Sequence, residues 1–359
     1  ADGLLQLLRD RSPADRRDLI TAFPHFRTCT LVARVCEASV KAAGPLPGAA
    51  LELARLASSL AERVDGGEGR RSRARGYSLA FESNAERVAT EFDRADATFR
   101  RAWQLWHTGT ATEPDPLAEW RMLDLEASLR RAQWRFSEAL ELLERARGLC
   151  NGGPVAAARI LVKKSNVHQQ QGEFAAALAL LEEATPAIER SGNADLVFSL
   201  RFNKTTNLAF LECYADAAKL LPAVRSLAIE QGHALALTRV LWLAARVDMG
   251  QGRSEKALAS LEQVRREFAT TYKLPYEAAL SSLDLALLWL ERGRTVEVRE
   301  LAVGMGWIFK AKGIVREALA ALALFCKAAR QEAATMELTR QVIADIEKCR
   351  LMSLPAAEE

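Results

Sequence analysis

The amino-acid sequence predicts an all-α fold, an α-solenoid of antiparallel helix hairpins. Related stretches recur along the chain, including GEFAAALALLEEA at 172–184 and GRSEKALASLEQV at 252–264. Each stretch begins with a turn residue and continues as an alanine-rich amphipathic run that follows another helical segment. Because one helix pair cannot bury its apolar face alone, regular recurrence of such pairs indicates neighbours that stack on one another.

The spacing of small residues defines the repeat. The first small or apolar residue of each amphipathic run stands at Ala95, Ala139, Ala177, Ala217, Ala257 and Val298. The intervals between successive residues of this set are 44, 38, 40, 40 and 41 positions. A second small or apolar residue stands seven positions later, at Ala102, Ala146, Ala184, Val224, Val264 and Met305. Small side chains at these sites allow the second helix of each hairpin to approach the first closely.

Turn residues and rings mark where each second helix begins. Gly172, Gly252 and Gly293 stand just before second helices. Because glycine adopts positive φ at little cost, we expect these residues to end the first helix. Aromatic rings stand at the corresponding turns, at Phe92, Phe136, Phe174 and Tyr214. We expect each ring to pack across its own helix pair.

These features resemble the tetratricopeptide repeat (TPR) over residues 72–312, in the long-helix variant of the sensor arrays of bacterial regulators. The GEF turn with Ala177 and Ala184 matches best, and GRSEKA with Ala257 follows it closely. The units are longer than the usual repeat of about 34 residues, the first-helix pattern is degenerate, and Pro222 falls inside a second helix. Periodicity alone also allows a HEAT-like array, but the glycine turn favours TPR. The resemblance implies a right-handed superhelix whose first helices line a concave surface.

Flanking segments predict caps at both ends of the array. Ser12 and Pro13 are typical of a helix start, and Gly44-Pro45 is typical of a stop. The last helical segment is more polar, as the terminal element of an array should be. The sequence therefore predicts four parts, an N-terminal helical cap at 1–48, TPR-like helical repeats at 49–312, C-terminal capping helices at 313–350 and a tail at 351–359.

Composition narrows the classes of function. The 359 residues are 49% hydrophobic and 26% charged with a net charge of +3, so nothing global requires nucleic acid or an anionic membrane. No apolar run reaches the roughly 18 residues of a transmembrane helix. The six cysteines lack zinc-ligand spacing. We interpret them as buried free thiols in a reducing cytoplasm: Cys29, Cys36, Cys150, Cys213, Cys326 and Cys349.

No motif for catalysis or cofactor binding is recognisable. The sequence has no GxSxG, P-loop, GxGxxG or HExxH pattern. The four histidines are far apart, at His25, His107, His168 and His233. His168 stands beside three glutamines on a first helix, where packing or groove lining is its expected role. We therefore expect no enzyme activity, cofactor or metal.

The TPR resemblance places function on the inner wall formed by the first helices. The predicted partner-binding residues are Arg121, Arg131, Arg159, Lys163, Asn166, Asn203, Arg239, Trp242 and Arg246. With Arg87, seven positive inner-wall residues stand against Asp124 and Asp284. Guanidinium groups bind carboxylates, asparagine amides hold an extended peptide backbone, and Trp242 accepts an apolar anchor. An internal ion pair or a solvated side chain is the alternative at each polar position, and core packing is the alternative for Trp242.

The leading hypothesis is a cytoplasmic, non-catalytic scaffold or adaptor whose basic concave groove binds an acidic or C-terminal peptide segment of a partner protein. The alternative is a peptide-sensing regulatory array that controls a DNA-binding or effector domain absent from this chain. Self-association through end helices is a third hypothesis. The basic run at Arg70, Arg71, Arg73 and Arg75 is the one place where a nucleic-acid contact is considered, and a solvated loop and helix start is the favoured interpretation.

Overall fold

The computed structural model of the protein describes residues 2–43, 47–111, 115–150, 152–232, 234–311 and 316–353. The predicted stop at Gly44-Pro45, His233 and the predicted tail beyond residue 353 lie outside these ranges. Across the described ranges the chain forms 18 α-helices and no strand. None of the helices in these ranges combines the length and apolar character that crossing a bilayer requires.

The first compact unit comprises residues 1–163. Helix α3 packs on α4 and α5, and α5 packs on α6 and α7. Phe26, Phe81, Phe99 and Trp106 are buried in the core beneath these helices. The helices are α1 (Asp2–Arg9), α2 (Pro13–Ala22), α3 (Cys29–Ala43), α4 (Pro47–Ala61), α5 (Glu68–Val88), α6 (Phe92–Thr108), α7 (Glu119–Ala132), α8 (Phe136–Leu149) and the first part of α9 (Gly153–Gln170), with a 3₁₀ turn at Pro24–Phe26.

The second compact unit comprises residues 164–354 and begins within α9. Its further helices are α10 (Phe174–Glu189), α11 (Ala194–Phe210), α12 (Tyr214–Glu230), α13 (Ala234–Gly250), α14 (Ser254–Arg266), α15 (Pro275–Glu291), α16 (Thr295–Gly304), α17 (Arg316–Arg330) and α18 (Met336–Ser353). A π-helical turn, Glu267–Thr271, extends α14, and a 3₁₀ turn, Met305–Lys310, follows α16. From α10 to α15 each helix packs on the next, whereas α18 turns back onto α15 as well as α17. The last four helices therefore form a bundle.

One type of turn joins the two helices of each described repeat hairpin. A residue with positive φ follows the first helix, and it is Gly172, Gly252 or Gly293 in three hairpins and Thr90, Trp134 or Glu212 in three others. The next N–H then reaches back five residues, as that of Glu173 does to the carbonyl of His168 at 2.9 Å. This is the Schellman pattern, which satisfies carbonyls at a helix end. The predicted role of the glycines is confirmed, and so is the all-α solenoid of hairpins.

The small residues that define the repeat are buried, as expected. All six of the first set, from Ala95 to Val298, are no more than 1% exposed. Two of the predicted rings, those of Phe174 and Tyr214, also contact the following hairpin, which the expectation of packing within one helix pair did not include. Phe174 at the start of α10 stacks on Phe210 at the end of α11, with ring centroids 4.5 Å apart. The Tyr214 ring at the start of α12 packs against Gly250 at the end of α13. The rings thus connect successive hairpins within the second unit.

The cysteines are free thiols, but their burial varies. Four are buried, whereas Cys150 is half-buried and Cys213 is exposed. Cys213 differs from the expectation because it occupies the N-cap position of α12, at the surface end of the helix.

Candidate functional site

The predicted partner-binding residues lie on first helices in both units. In the first unit, α7 carries Arg121 and Arg131, and α9 carries Arg159 and Lys163. In the second unit, α9, α11 and α13 carry the remaining five, Asn166, Asn203, Arg239, Trp242 and Arg246. The environments of these side chains decide which of them can contact a ligand.

A buried ion network links α3, α7 and α9 in the first unit. Arg121 is 2% exposed and donates to both carboxylate oxygens of Glu37 on α3, at 2.8 and 3.1 Å. Arg121 also pairs with Asp124, which is fully buried. Lys163 lies 2.8 Å from Asp124 and donates to Ser128 at 3.0 Å. Arg121 and Lys163 are therefore held inside the protein by carboxylates of their own chain.

Electrostatics in this network keep its members charged. Burial opposes ionisation of Glu37, but the positive charges of Arg121, Arg159 and Lys163 outweigh it and lower the pKa of that carboxyl. Burial likewise opposes the charge of Arg121, yet Glu37 and Asp124 raise the pKa of its guanidinium. A charged network of this kind costs desolvation energy and stays stable only while every member keeps its partners.

Arg159 lies near this network but is not paired with either of its carboxylates. It is half-buried and makes no hydrogen bond or ion pair with any residue that the structure describes, although its charge acts on Glu37. Among the described residues, three cations including Arg159 stand against the two carboxylates of Glu37 and Asp124, so these five groups together carry one excess positive charge. Arg131 is also half-buried, in the last turn of α7, but it has a partner within the chain. Arg159 therefore has the chemistry that a carboxylate ligand requires in this unit.

The cations of α13 in the second unit are matched by carboxylates of the chain. Arg239 lies 3.2 Å from Glu277 of α15. Arg246 binds Asp284 of α15 at 2.8 Å and Glu347 of α18 at 2.5 Å. Among the described residues, these two cations stand against three carboxylates, so these five groups together carry one excess negative charge. The sequence count of seven positive against two negative residues omitted Glu37, Glu277 and Glu347, and it overstates the positive charge open to a ligand.

Trp242 belongs to the core of the second unit. It is 6% exposed, and its ring packs edge-on against Phe268. Its indole N–H donates to Asp284 at 2.7 Å, and the Arg246 guanidinium lies 4.7 Å from its ring centroid. The predicted role as an open apolar anchor is thus replaced by core packing, the alternative that the sequence had allowed. Trp242 holds Asp284 and Arg246 in position.

Two asparagines meet on neighbouring first helices of the second unit. The side-chain amide of Asn203 on α11 donates to the side-chain oxygen of Asn166 on α9 at 3.1 Å. Both side chains are half-buried. Asn207, one turn beyond Asn203, is fully buried and donates to the Asn203 carbonyl at 2.8 Å. The side-chain oxygen of Asn207 has no hydrogen-bond partner among the described residues. Asn166 and Asn203, which are partly exposed, offer amides suited to the backbone groups of an extended peptide, whereas Asn207 is buried beneath them.

The basic run at 70–75 lies in the first turns of α5, so the predicted helix start is confirmed and the run itself is not in a loop. Arg71 and Arg75 lie 3.0 and 3.5 Å from Glu68. Arg73 lies 2.6 Å from Asp115 and 3.5 Å from the Trp106 ring centroid. Three of the four arginines therefore have carboxylate partners within the chain, which reduces the charge available to a phosphate.

No protein-family model matches the sequence, and no curated protein matches it. The chain is similar to a Rap protein crystallised in complex with competence and sporulation factor, with a TM-score of 0.58 and 11% identity, covering 90% of this chain and 95% of that one. It is also similar to the apo form of RapI, with a TM-score of 0.55 and 12% identity, covering 90% of this chain and 99% of that one. At this level of identity, the likeness shows a shared all-α helical-repeat fold.

Proposed function

We propose that this protein is a non-catalytic TPR-type scaffold that binds a peptide segment of a partner protein, acidic or with a free C-terminal carboxylate. The observation that carries the proposal is Arg159, a half-buried inner-wall cation without a partner among the described residues. It stands beside a network in which the other charges are already matched. A ligand carboxylate would neutralise the excess positive charge of that network and gain a charge-assisted hydrogen bond.

The comparisons support ligand binding as the role of such a fold, since one similar Rap protein was crystallised with a bound factor. The Schellman turns and buried small residues support the TPR assignment in particular. In the second unit, the Asn166–Asn203 pair adds amides for backbone groups. We also propose a cytoplasmic location, because the buried cysteines persist as thiols in a reducing compartment.

A peptide array probed with the full chain tests this function. Arg159→Gln removes the charge and keeps a polar side chain, so binding to acidic or carboxylate-ended peptides should weaken about tenfold, as expected for one lost charge-assisted hydrogen bond. Arg145→Gln is the matched control, since Arg145 is exposed on the second helix α8. Lys163 is unsuitable for this purpose because its charge is buried against Asp124.

Equal loss in both arginine variants would mean that binding depends on general charge and would count against an inner-wall site. Unchanged binding by Arg159→Gln would remove the proposed site.

A further inference from the structure

The carboxylate of Glu347 reaches Arg246 of the second unit from α18, the last helix that the structure describes. Helix α18 packs on α15, and this contact brings Glu347 to Arg246 of α13, 101 residues earlier in the sequence. Arg246 is thus bound on two sides, by Asp284 from the neighbouring first helix and by Glu347 from α18. One guanidinium cannot neutralise two carboxylates, so one of the two is electrostatically in excess.

The two carboxylates are held very differently. Asp284 is 4% exposed and accepts hydrogen bonds from the Trp242 indole and from two nitrogens of Arg246. The Glu347 side chain is 17% exposed, and its described hydrogen bond is the single one from Arg246 Nη1. The Arg246 side chain is itself 21% exposed at this edge. Asp284 is therefore the fixed partner of Arg246, and Glu347 is the replaceable one.

We propose that Glu347 is an internal ligand, and that Arg246 with Trp242 and Asp284 forms a second carboxylate site in which a carboxylate of a bound peptide replaces that of Glu347. The ligand class rests on the proposed function. The exchange conserves charge, because one carboxylate leaves Arg246 as another arrives. It also needs no new cation, and Asp284 keeps the guanidinium oriented throughout.

Helix α18 stays in place during this exchange. Val342, Ile346 and Cys349 of α18 are buried in the core that includes α15 and α17. Releasing the helix would expose these side chains to water, whereas Glu347 needs only a rotation of its own side chain to leave Arg246. The exchange therefore involves the Glu347 side chain and leaves the backbone of α18 in place.

Phenylglyoxal, which modifies accessible arginines, tests the proposal on the full chain with mass-spectrometric mapping of adducts. In Glu347→Ala, Arg246 should react about tenfold faster than in the wild type, as expected for one lost charge-assisted hydrogen bond. N-acetyl-trialanine with a free carboxylate should restore protection of Arg246, and the same tripeptide as its amide should not.

Glu255→Ala is the matched control. Glu255 lies 2.7 Å from Arg292, whose side chain is 26% exposed and so resembles Arg246 in accessibility. This variant should speed modification of Arg292 and leave Arg246 unchanged. Equal Arg246 rates in wild type and Glu347→Ala, or equal protection by acid and amide, would overturn the proposal. The phenylglyoxal assay measures Arg246 itself, whereas the peptide array measures the effect of Arg159. Failure of the array would refute the proposed function, and failure of the Arg246 assay would refute only the exchange at Glu347.

Discussion

The ion networks of the two units contain the same kinds of residues but differ in charge and burial. In the first unit, Arg121 is 2% exposed and its network has an excess cation, Arg159. In the second unit, Arg246 is 21% exposed and its network has an excess carboxylate. A basic residue at an inner-wall position therefore does not define a ligand site. The number of carboxylates that the rest of the chain brings to it decides the charge that a ligand meets.

The largest effect should come from removing the central carboxylate of the first network. Asp124→Asn leaves Glu37 as the remaining carboxylate of this network among the described residues, and we expect unfolding to become easier by about 3–5 kcal/mol, the usual result of breaking a buried ion network. Asp284→Asn should cost less, about 1–3 kcal/mol, because Arg246 keeps Glu347 and is partly hydrated. Urea denaturation of both variants measures the difference.

Asp216→Asn provides the surface control, since Asp216 pairs with Lys219 at an exposed position. That change should cost no more than about 1 kcal/mol. A larger loss in Asp284→Asn than in Asp124→Asn would show that burial does not rank the two networks.

A smaller difference in stability is expected between alanine substitutions at two glycines, Gly76 in a first helix of the first unit and Gly250 in a first helix of the second unit. A methyl group at Gly76 would lie 2.6 Å from the backbone nitrogen of Trp106 and 2.7 Å from the carbonyl oxygen of Ala102. At Gly250 it would meet the Tyr214 ring, which can rotate. We expect Gly76→Ala to destabilise the protein by about 2 kcal/mol, because the backbone of α6 cannot yield.

For Gly250→Ala, the gain in helix propensity of about 1 kcal/mol should offset much of the clash. Thermal unfolding of the two variants tests this pair. Equal losses would mean that the ring of Tyr214 is as rigid as a helix backbone.

The smallest effect should be an acid sensitivity specific to the first network. The folded-state pKa of Glu37 lies below its unfolded value, so its stabilising contribution is complete above the unfolded pKa of about 4.3 and is lost as pH falls through the folded pKa. Wild type should lose stability in this acidic range more steeply than Glu37→Gln. Urea unfolding at several pH values gives the two profiles, and parallel profiles would contradict the assignment.

The repeat was predictable from sequence, whereas the charge balance was not. Residues such as Ala177 and Gly172 act within one hairpin, so their spacing and turn chemistry appear directly in the sequence. Glu37 and Glu347 lie 84 and 101 residues from the arginines that they bind, in segments that the repeat pattern does not cover. Glu277 could have been found, because it precedes Asp284 by seven residues and so shares its helix face.

The placement of rings on following hairpins has a practical consequence for shortening the chain. Tyr214 belongs to one hairpin but packs against Gly250 at the end of α13 in the next. A fragment that stops after α12 would leave this ring exposed to water, even though the cut falls between two hairpins. A truncation in the second unit should therefore keep the helix that buries the last ring, and the repeat boundaries alone do not identify that helix.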